Sequence, residues 1–125
     1  MGRSALTFAA VTKMGLALPD VEESTTHGSP ALKLRGQLLA WIPINKDVEP
    51  DSIGLRIEFA QRDELLEAEP DTYYLKPHYQ DYPCILVRLR KIRPDAMRDL
   101  LQMAWQFVDK KAPKQRPRPA ARPRR

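Results

Sequence analysis

The spacing of apolar and polar residues changes several times along this chain, and each change predicts a new element. Apolar residues recur every three or four positions where a helix is expected and at every second position where a strand is expected. By this criterion the predicted elements are a helix that begins at Ser4 and stops at Pro19, strands at 31–34, 37–44 and 53–59, a short acidic helix at 62–69, a strand at 84–92 and a helix from Pro94 to Val108. The predicted order is therefore α-β-β-β-α-β-α.

The segments between these elements contain turn-forming residues. Arg35-Gly36 separates the first two strands and is typical of a tight β-hairpin. Residues 20–29 are acidic, rich in Ser and Thr and followed by Pro30, so we expect a loop there. Residues 45–51 are expected to form a polar connection to the third strand.

The later strands and the last helix each have one apolar side. Alternation predicts that the inward-facing strand residues are Leu55, Ile57, Phe59, Ile85, Val87 and Leu89, and that the outward-facing ones include Arg56, Glu58, Arg88 and Arg90. The last helix carries an apolar stripe wide enough to cover a sheet, formed by Met97, Leu100, Leu101, Ala104, Trp105 and Val108. We therefore predict an α+β fold, with a mostly antiparallel four-stranded sheet and helices on one face.

Charge divides the chain into two parts. Residues 110–125 contain eight basic residues and no acidic ones, whereas the preceding 109 residues hold 13 basic and 16 acidic residues, a net charge of −3. The net charge of +5 therefore comes from the last sixteen residues. These residues also contain four prolines and few apolar side chains, which predicts a disordered or polyproline II-like tail. We predict one domain at 1–109 and a basic Pro/Arg-rich tail at 110–125.

Composition narrows the class of protein. Hydrophobic residues make up 42% of the chain, and its mean hydropathy of −0.52 is typical of a globular domain. No apolar run approaches the roughly 20 residues of a membrane span, so we expect no membrane partner. The single cysteine, Cys84, excludes an intramolecular disulfide and favours a cytoplasmic protein. No spacing of His, Cys or acidic residues predicts a metal site, and we expect no cofactor and a monomer.

Short motifs spread between Phe8 and Val108 carry a resemblance to a known family. They are Leu18 to Ser24 (LPDVEES), His27 to Ala31 (HGSPA), Lys33 to Gln37 (KLRGQ), Leu65-Leu66, Pro70, Tyr73-Tyr74, His78-Tyr79, Tyr82-Pro83, Leu86 to Leu89 and Ala104-Trp105. This set resembles the MmcQ/YjbR-like family of small bacterial proteins. The resemblance implies a CyaY-like α+β fold with a double-wing arrangement that is inferred to bind DNA. The basic tail lies outside the resemblance.

Two sets of basic residues are candidates for nucleic-acid binding, probably of DNA. The first should project from the sheet face opposite the helices and comprises Lys33, Arg35, Arg56, Arg88 and Arg90. The second is the tail, with Lys110, Lys111, Lys114, Arg116, Arg118, Arg122, Arg124 and Arg125. Binding would be mainly electrostatic and weakly selective for sequence. The competing interpretations are a solvated face with cross-strand ion pairs and a tail without a specific role.

An alternative function uses a pocket between residues 20–30 and the tyrosine-rich segment 72–83. The candidate lining residues are His27, Tyr74, His78 and Tyr79. Such a pocket would make the protein a small-molecule or protein-binding module. The tyrosines could instead cover a core edge, and His27 could bond locally in its turn. No catalytic residue is assigned, because the sequence contains no nucleophile elbow, no phosphate loop and no pair of carboxylates at a spacing typical of catalysis.

Overall fold

The computed structural model describes residues 6–112, and these form an α+β fold with one antiparallel sheet. Its elements, in chain order, are α1 (Phe8–Leu16), β1 (Val21–Thr26), β2 (Ser29–Leu34), β3 (Gln37–Trp41), β4 (Ser52–Arg56), α2 (Phe59–Ala68), β5 (Tyr73–Tyr74), a short 3₁₀ helix (Pro77–Tyr79), β6 (Cys84–Arg88) and α3 (Pro94–Lys111). The strands lie in the order β1-β2-β3-β4-β6-β5. The predicted fold class is confirmed, but the sheet has six strands where four were predicted.

Two consecutive tight turns build the first half of the sheet. His27-Gly28 joins β1 to β2, and Arg35-Gly36 joins β2 to β3. All four residues have positive φ, at 52° and 78° in the first turn and 46° and 86° in the second. Positive φ at both central residues is the geometry of a type I′ turn, whose twist matches that of paired strands. These turns give the antiparallel pairs Thr26–Ser29 and Leu34–Gln37.

The main core lies between the sheet and the helices. Buried residues of the strands, such as Leu39, Leu55 and Ile85, pack with Leu100 and Ala104 of α3. The predicted stripe of α3 is confirmed except at Trp105, which is only partly buried, and Phe107 is a buried member that the prediction omitted. The alternate residues of the strands face the opposite side of the sheet, where a second, smaller cluster forms.

The segment predicted as a loop at 20–29 is mostly a strand. β1 occupies Val21–Thr26 and pairs with all of β2. It is an edge strand, and most of its side chains are exposed or partly exposed. Polar residues are therefore tolerated along it, and no apolar alternation marks the strand in the sequence. The second unpredicted strand, β5, has two residues and pairs with β6 at the other edge.

Several helices and strands begin or end at other residues than predicted. The strand predicted at 53–59 ends at Arg56, because α2 begins at Phe59, and Phe59 is 45% exposed instead of facing inward. The strands predicted at 37–44 and 84–92 end earlier, at Trp41 and Arg88. The N-cap of α1 is Thr7, whose hydroxyl accepts a hydrogen bond from the Ala10 N–H at 3.1 Å. Ser4, the predicted cap, lies outside the described residues.

The last helix passes the predicted domain end at residue 109, because α3 continues to Lys111 and Ala112 is buried. Lys110 and Lys111 therefore belong to the helix and not to the tail. The rest of the predicted tail, residues 113–125, lies outside the described part of the chain. Within residues 6–112, no helix has the length and apolar character needed to cross a membrane.

Candidate ligand cleft

A cleft of about 300 Å³ opens on the sheet face opposite α3. Four segments that are distant in the sequence meet there: the β1–β2 turn, the end of β3, the end of β4, and residues 78–84, which run from the tyrosine-rich segment to the start of β6. Its lining residues are Thr26, His27, Trp41, Arg56, His78, Tyr79, Tyr82, Pro83 and Cys84. The cleft continues over Ile42 to Asp47 as a more open hollow of about 670 Å³. Volumes in this range are typical of small-molecule sites.

Aromatic rings form the floor and one wall of the cleft. Trp41 lies directly on β4, so that a Cβ atom added to Gly54 would fall 2.5 Å from Cζ2 of the indole. The ring centroids of Trp41 and Tyr79 are 6.4 Å apart with their planes tilted by 42°. His78 meets Tyr79 edge to face at 4.8 Å. Aromatic rings at the surface of a cleft favour the binding of a flat ligand.

Arg56 brings a positive charge to the cleft. It is partly buried where β3 and β4 separate beyond the Ala40–Leu55 pair, and its Nη1 donates a hydrogen bond to the Leu38 carbonyl at 3.3 Å. Its guanidinium carbon also lies 5.6 Å from the centre of the Phe107 ring. Burial lowers the pKa of Arg56, opposed by nearby Cys84. Arginine stays charged at neutral pH even so.

The other titratable groups of the cleft floor are held neutral. Burial raises the pKa of the Cys84 thiol to about 11, although Arg62 and Arg56 oppose the shift. Burial is likewise the largest cause of the raised pKa of Tyr79. At neutral pH the floor therefore offers a thiol and a phenol, both able to donate hydrogen bonds but not to act as anions.

Arg62 of α2 fixes the outer wall. Its Nη1 donates hydrogen bonds to the carbonyls of Gln80 and Tyr82 at 3.0 and 3.1 Å, and its guanidinium lies 4.8 Å from the Phe59 ring. The Ile57 N–H donates to the Pro83 carbonyl at 3.1 Å and holds the same wall from β4. The tyrosine-rich segment is thus tied to two elements of the domain, and the cleft is preformed.

Three of the four predicted pocket residues meet in this cleft, namely His27, His78 and Tyr79. Tyr74, the fourth, does not. Its hydroxyl lies 2.5 Å from Ser52 Oγ and accepts a hydrogen bond from the Glu49 N–H at 3.0 Å, and it does not line the cleft. The prediction for Tyr74 was wrong because β5 places Tyr74 beside β6, away from the 3₁₀ helix that carries Tyr79.

Arg88 belongs to the same cluster as Tyr74, where internal contacts engage the side chain that was predicted to bind phosphates. It binds both carboxylate oxygens of Glu49, at 2.8 and 2.7 Å, and donates to the carbonyls of Pro70 and Asp71. Its guanidinium also lies 4.3 Å from the Tyr74 ring. The ion pair lowers the pKa of Glu49. Arg88 therefore holds two loops against the edge of the sheet.

Arg35 was also predicted to project from the sheet and bind nucleic acid, and the family resemblance implied a double-wing arrangement. Instead, its left-handed turn directs the side chain to ion pairs with Asp20 at 2.7 Å and with Asp109 of α3. The hairpin is thereby fastened to the helix side of the domain, which contradicts a free wing. Arg56 was predicted for the same sheet face, and there it lines the cleft.

The remaining predicted basic residues have separate positions. Lys33 is partly buried on β2, opposite Glu22 of β1. Arg90 is 70% exposed and forms an ion pair with Asp51 at 3.3 Å. In α3, Lys110 pairs with Glu58 at 3.2 Å, and Lys111 lies 4.9 Å from the Phe107 ring. The other predicted tail residues lie outside the described part of the chain: Lys114, Arg116, Arg118, Arg122, Arg124 and Arg125.

Sequence reasoning missed Trp41, Tyr82, Cys84 and the cleft position of Arg56. Alternation contained part of the signal, because the inward assignment of Ile85 places Cys84 on the opposite face, and that of Leu55 and Ile57 does the same for Arg56. No sequence pattern indicates that these faces meet the β1–β2 turn. In residues 6–112 no group of three or more His, Cys, Asp or Glu is arranged to hold a metal ion.

Comparison with known proteins places the chain in a family. The YjbR family profile matches residues 16–107, which include the sheet, the cleft and most of α3. The chain belongs to the YjbR family. This confirms the resemblance found in the sequence motifs.

Individual relatives support the same assignment. The chain is 30% identical over 123 residues to uncharacterized proteins of Mycobacterium bovis and Mycobacterium tuberculosis, covering 87% of this chain and 91% of each relative. The crystal structure of Deinococcus radiodurans protein DR2400, which carries a DUF419 domain, superposes with a TM-score of 0.70. That match covers 89% of this chain and 84% of DR2400 at 19% identity, so it supports the fold alone.

Proposed function

We propose that this YjbR-family protein is a non-catalytic binding module that holds a flat small molecule in the aromatic cleft. The observation that carries the proposal is the convergence of Trp41, Tyr79 and Arg56 around one preformed cavity. Binding sites for small molecules are mostly apolar and aromatic, with a few polar groups that fix orientation. The single cysteine is free and buried, which is consistent with a protein located in the reducing cytoplasm.

The chemistry of the cleft favours binding over catalysis. Cys84 is the one thiol of the chain, and its raised pKa keeps it protonated at neutral pH, where it is a poor nucleophile. His27 and His78 offer hydrogen-bond donors and acceptors at the rim of the cleft. Together these groups can orient a ligand without reacting with it.

Trp41 provides a direct test. Trp105→Phe leaves Trp41 as the one tryptophan, because the chain contains two. In this background, flat aromatic compounds of neutral, cationic and anionic type are titrated to about 1 mM, a concentration that detects binding of about −4 kcal/mol. We expect at least one class to quench or shift the Trp41 emission in a saturable way.

The matched variants for this test are Tyr79→Ala, which removes the cleft wall, and Leu16→Ala, which alters an exposed apolar residue of α1. Binding should fall at least about tenfold in the first and stay within about twofold in the second. Circular dichroism shows that each variant is folded. The absence of a saturable response from every compound class would refute the proposed function.

Nucleic-acid binding is a second candidate, favoured by the separation of charge along the chain. Residues 6–112 contain 14 basic and 16 acidic residues, so the described domain is net negative, and the predicted tail contains most of the excess positive charge. Contact would be made through phosphates, with little selectivity for sequence. The engagement of Arg35 and Arg88 in internal ion pairs leaves the tail as the main contributor.

A salt series with duplex DNA tests this candidate. The full chain is compared with a version that ends at Ala112, the last buried residue that the structure describes. We expect the full chain to bind at low salt and to lose roughly 10³-fold or more in affinity at moderate salt, and the shorter version not to bind. Equal affinity of the two versions would remove the tail from consideration, and no binding by the full chain at low salt would exclude this function.

A further inference from the structure

Arg56 differs from the other arginines of the described chain. Residues 6–112 contain seven arginines, and five of them, at positions 35, 62, 88, 90 and 93, have a carboxylate within 4.0 Å. Arg98 is exposed on α3 and needs no partner, since water solvates its charge. Arg56 is partly buried and, within the described residues, forms no ion pair and donates one hydrogen bond.

A partly buried guanidinium without a counter-ion can accept an anionic partner. Removing a charge from water is costly unless a partner replaces the lost hydration. The Phe107 ring lies against one face of the Arg56 guanidinium and the Leu38 carbonyl accepts one of its N–H groups, so its other N–H groups have no hydrogen-bond partner among the described residues. Since Arg56 lines the cleft, an anionic group bound there can supply the missing partner.

Among the residues that line the cleft Arg56 is the one arginine, which favours an anionic group with a single negative charge. Arg62, which fixes the outer wall, is engaged by two carbonyls and by Asp63. One free guanidinium fork matches one carboxylate. The rings of Trp41 and Tyr79, beside Arg56, provide the surface for a flat aromatic body.

We propose that the ligand of the cleft is a flat aromatic carboxylate, whose ring lies against Trp41 and Tyr79 and whose carboxylate pairs with Arg56. This inference rests on the proposed function and adds the chemical class of its ligand. It also assigns Arg56 as the residue that determines specificity. Phosphate esters and neutral aromatic compounds should bind less tightly than carboxylates on the same ring.

The test uses matched ligands on the full chain with Trp105→Phe. The probes are 2-naphthoate, indole-3-carboxylate and benzoate, each paired with its neutral primary amide, together with 2-naphthyl phosphate. We expect each carboxylate that binds to exceed its amide by about tenfold or more in affinity, the range for a hydrogen-bonded charge pair. Arg56→Gln should reduce carboxylate affinity to that of the amide and leave amide affinity within about twofold. Arg98→Gln, which removes an unpaired arginine outside the cleft, should change neither.

Each possible outcome has a distinct meaning. If amides bind as tightly as carboxylates, or if Arg56→Gln affects both alike, the assignment of the carboxylate is overturned while the cleft remains a binding site. Preference for the phosphate ester by about tenfold overturns it as well. If no carboxylate, amide or phosphate binds, the carboxylate assignment fails together with this use of the cleft. Unchanged amide affinity in Arg56→Gln also shows that the variant is folded.

Discussion

Arg88 and Arg90 lie two positions apart and have very different environments. Arg88 is 26% exposed and binds Glu49 through two hydrogen bonds, whereas Arg90 is 70% exposed and has one contact to Asp51. Removing Arg88 leaves a carboxylate and two loop carbonyls without their donor, so we expect Arg88→Ala to lower the free energy of unfolding by about 2 kcal/mol. Arg90→Ala should cost under about 0.5 kcal/mol, because it breaks a solvated ion pair. Urea denaturation of the two variants checks both values, and equal losses would contradict the structural role of Arg88.

Cys84 predicts how stability changes at alkaline pH. Its pKa is raised to about 11 from an ordinary value of 9.0 because the thiol is buried. Between these values the unfolded chain releases the proton and the folded chain keeps it, so the free energy of unfolding falls as pH rises. The thiol should account for roughly 2 kcal/mol of this loss.

Cys84→Ala provides the comparison for that prediction. The variant lacks the thiol, so its stability should decline less steeply between about pH 9 and pH 11 than that of the natural chain. Urea denaturation across this range measures both slopes. Burial is the largest cause of the raised pKa values of Tyr73 and Tyr79, and both tyrosines are present in both proteins, so most of their contribution cancels in the difference. Parallel declines would show that burial of the thiol does not govern its ionisation.

At the scale of elements, the sequence predicted strands well where one face is buried and poorly where both faces meet water. β2 and β6 were found through their apolar residues, and the edge strand β1 was missed because its residues are acidic or hydroxylated. One sequence signal could have predicted β1, namely the turn that follows it. His27-Gly28 stands before β2 as Arg35-Gly36 stands before β3, and both pairs are type I′ turns. A second tight turn requires a strand on each side.

The β1–β2 turn can be improved without changing its shape. Asn is the preferred residue before Gly in a type I′ turn, because it adopts positive φ at little cost. We therefore expect His27→Asn to leave the free energy of unfolding unchanged or to raise it by about 0.5 kcal/mol. His27→Val should lower it by about 1–2 kcal/mol, since a β-branched residue is strained at a φ of 52°. Thermal unfolding of the two variants checks the order, and a more stable Val variant would contradict this geometry.

The contact between β3 and β4 predicts the effect of a single methyl group on the cleft. In Gly54→Ala the new Cβ would meet the Trp41 indole at 2.5 Å, so the ring must move from the strand. We expect a loss of about 1–3 kcal/mol in the free energy of unfolding and a shift in Trp41 emission. Adding Trp41→Phe should recover part of the lost stability, because the smaller ring leaves room for the methyl group. Additive losses in the double variant would show that the two residues do not interact.

At the scale of the whole molecule, Arg35 joins three regions that are distant in the sequence. Its side chain is 15% exposed and links the hairpin to Asp20, which precedes β1, and to Asp109 near the end of α3. The sequence predicted the turn but not this link, because nothing in a local pattern indicates that Asp109 reaches it. The same limit applies to the cleft, whose residues come from four separate segments.

Loss of this link should loosen the end of α3. Arg35→Ala leaves Asp109, which is 23% exposed, without the arginine, and we expect a loss of about 1–3 kcal/mol in the free energy of unfolding. Amide hydrogen exchange at residues 105–111 should accelerate more than exchange in β4. Arg93→Ala is the matched control, because its partner Asp95 is a neighbour in the sequence and both are exposed. Equal exchange rates in the last turns of α3 in the two variants would refute the role of Arg35.

The contact of Trp41 with Gly54 also has an evolutionary consequence for the YjbR family. A side chain at position 54 and an indole at position 41 cannot share the space above the sheet, since they would overlap at 2.5 Å. Lineages that acquire Ala or a larger residue at position 54 should therefore carry a smaller residue at position 41, and the two substitutions should appear together on a phylogenetic tree. We therefore expect the pair to divide the family into members with a tryptophan floor and members with a different cavity, and the ligands that they select should diverge along the same line.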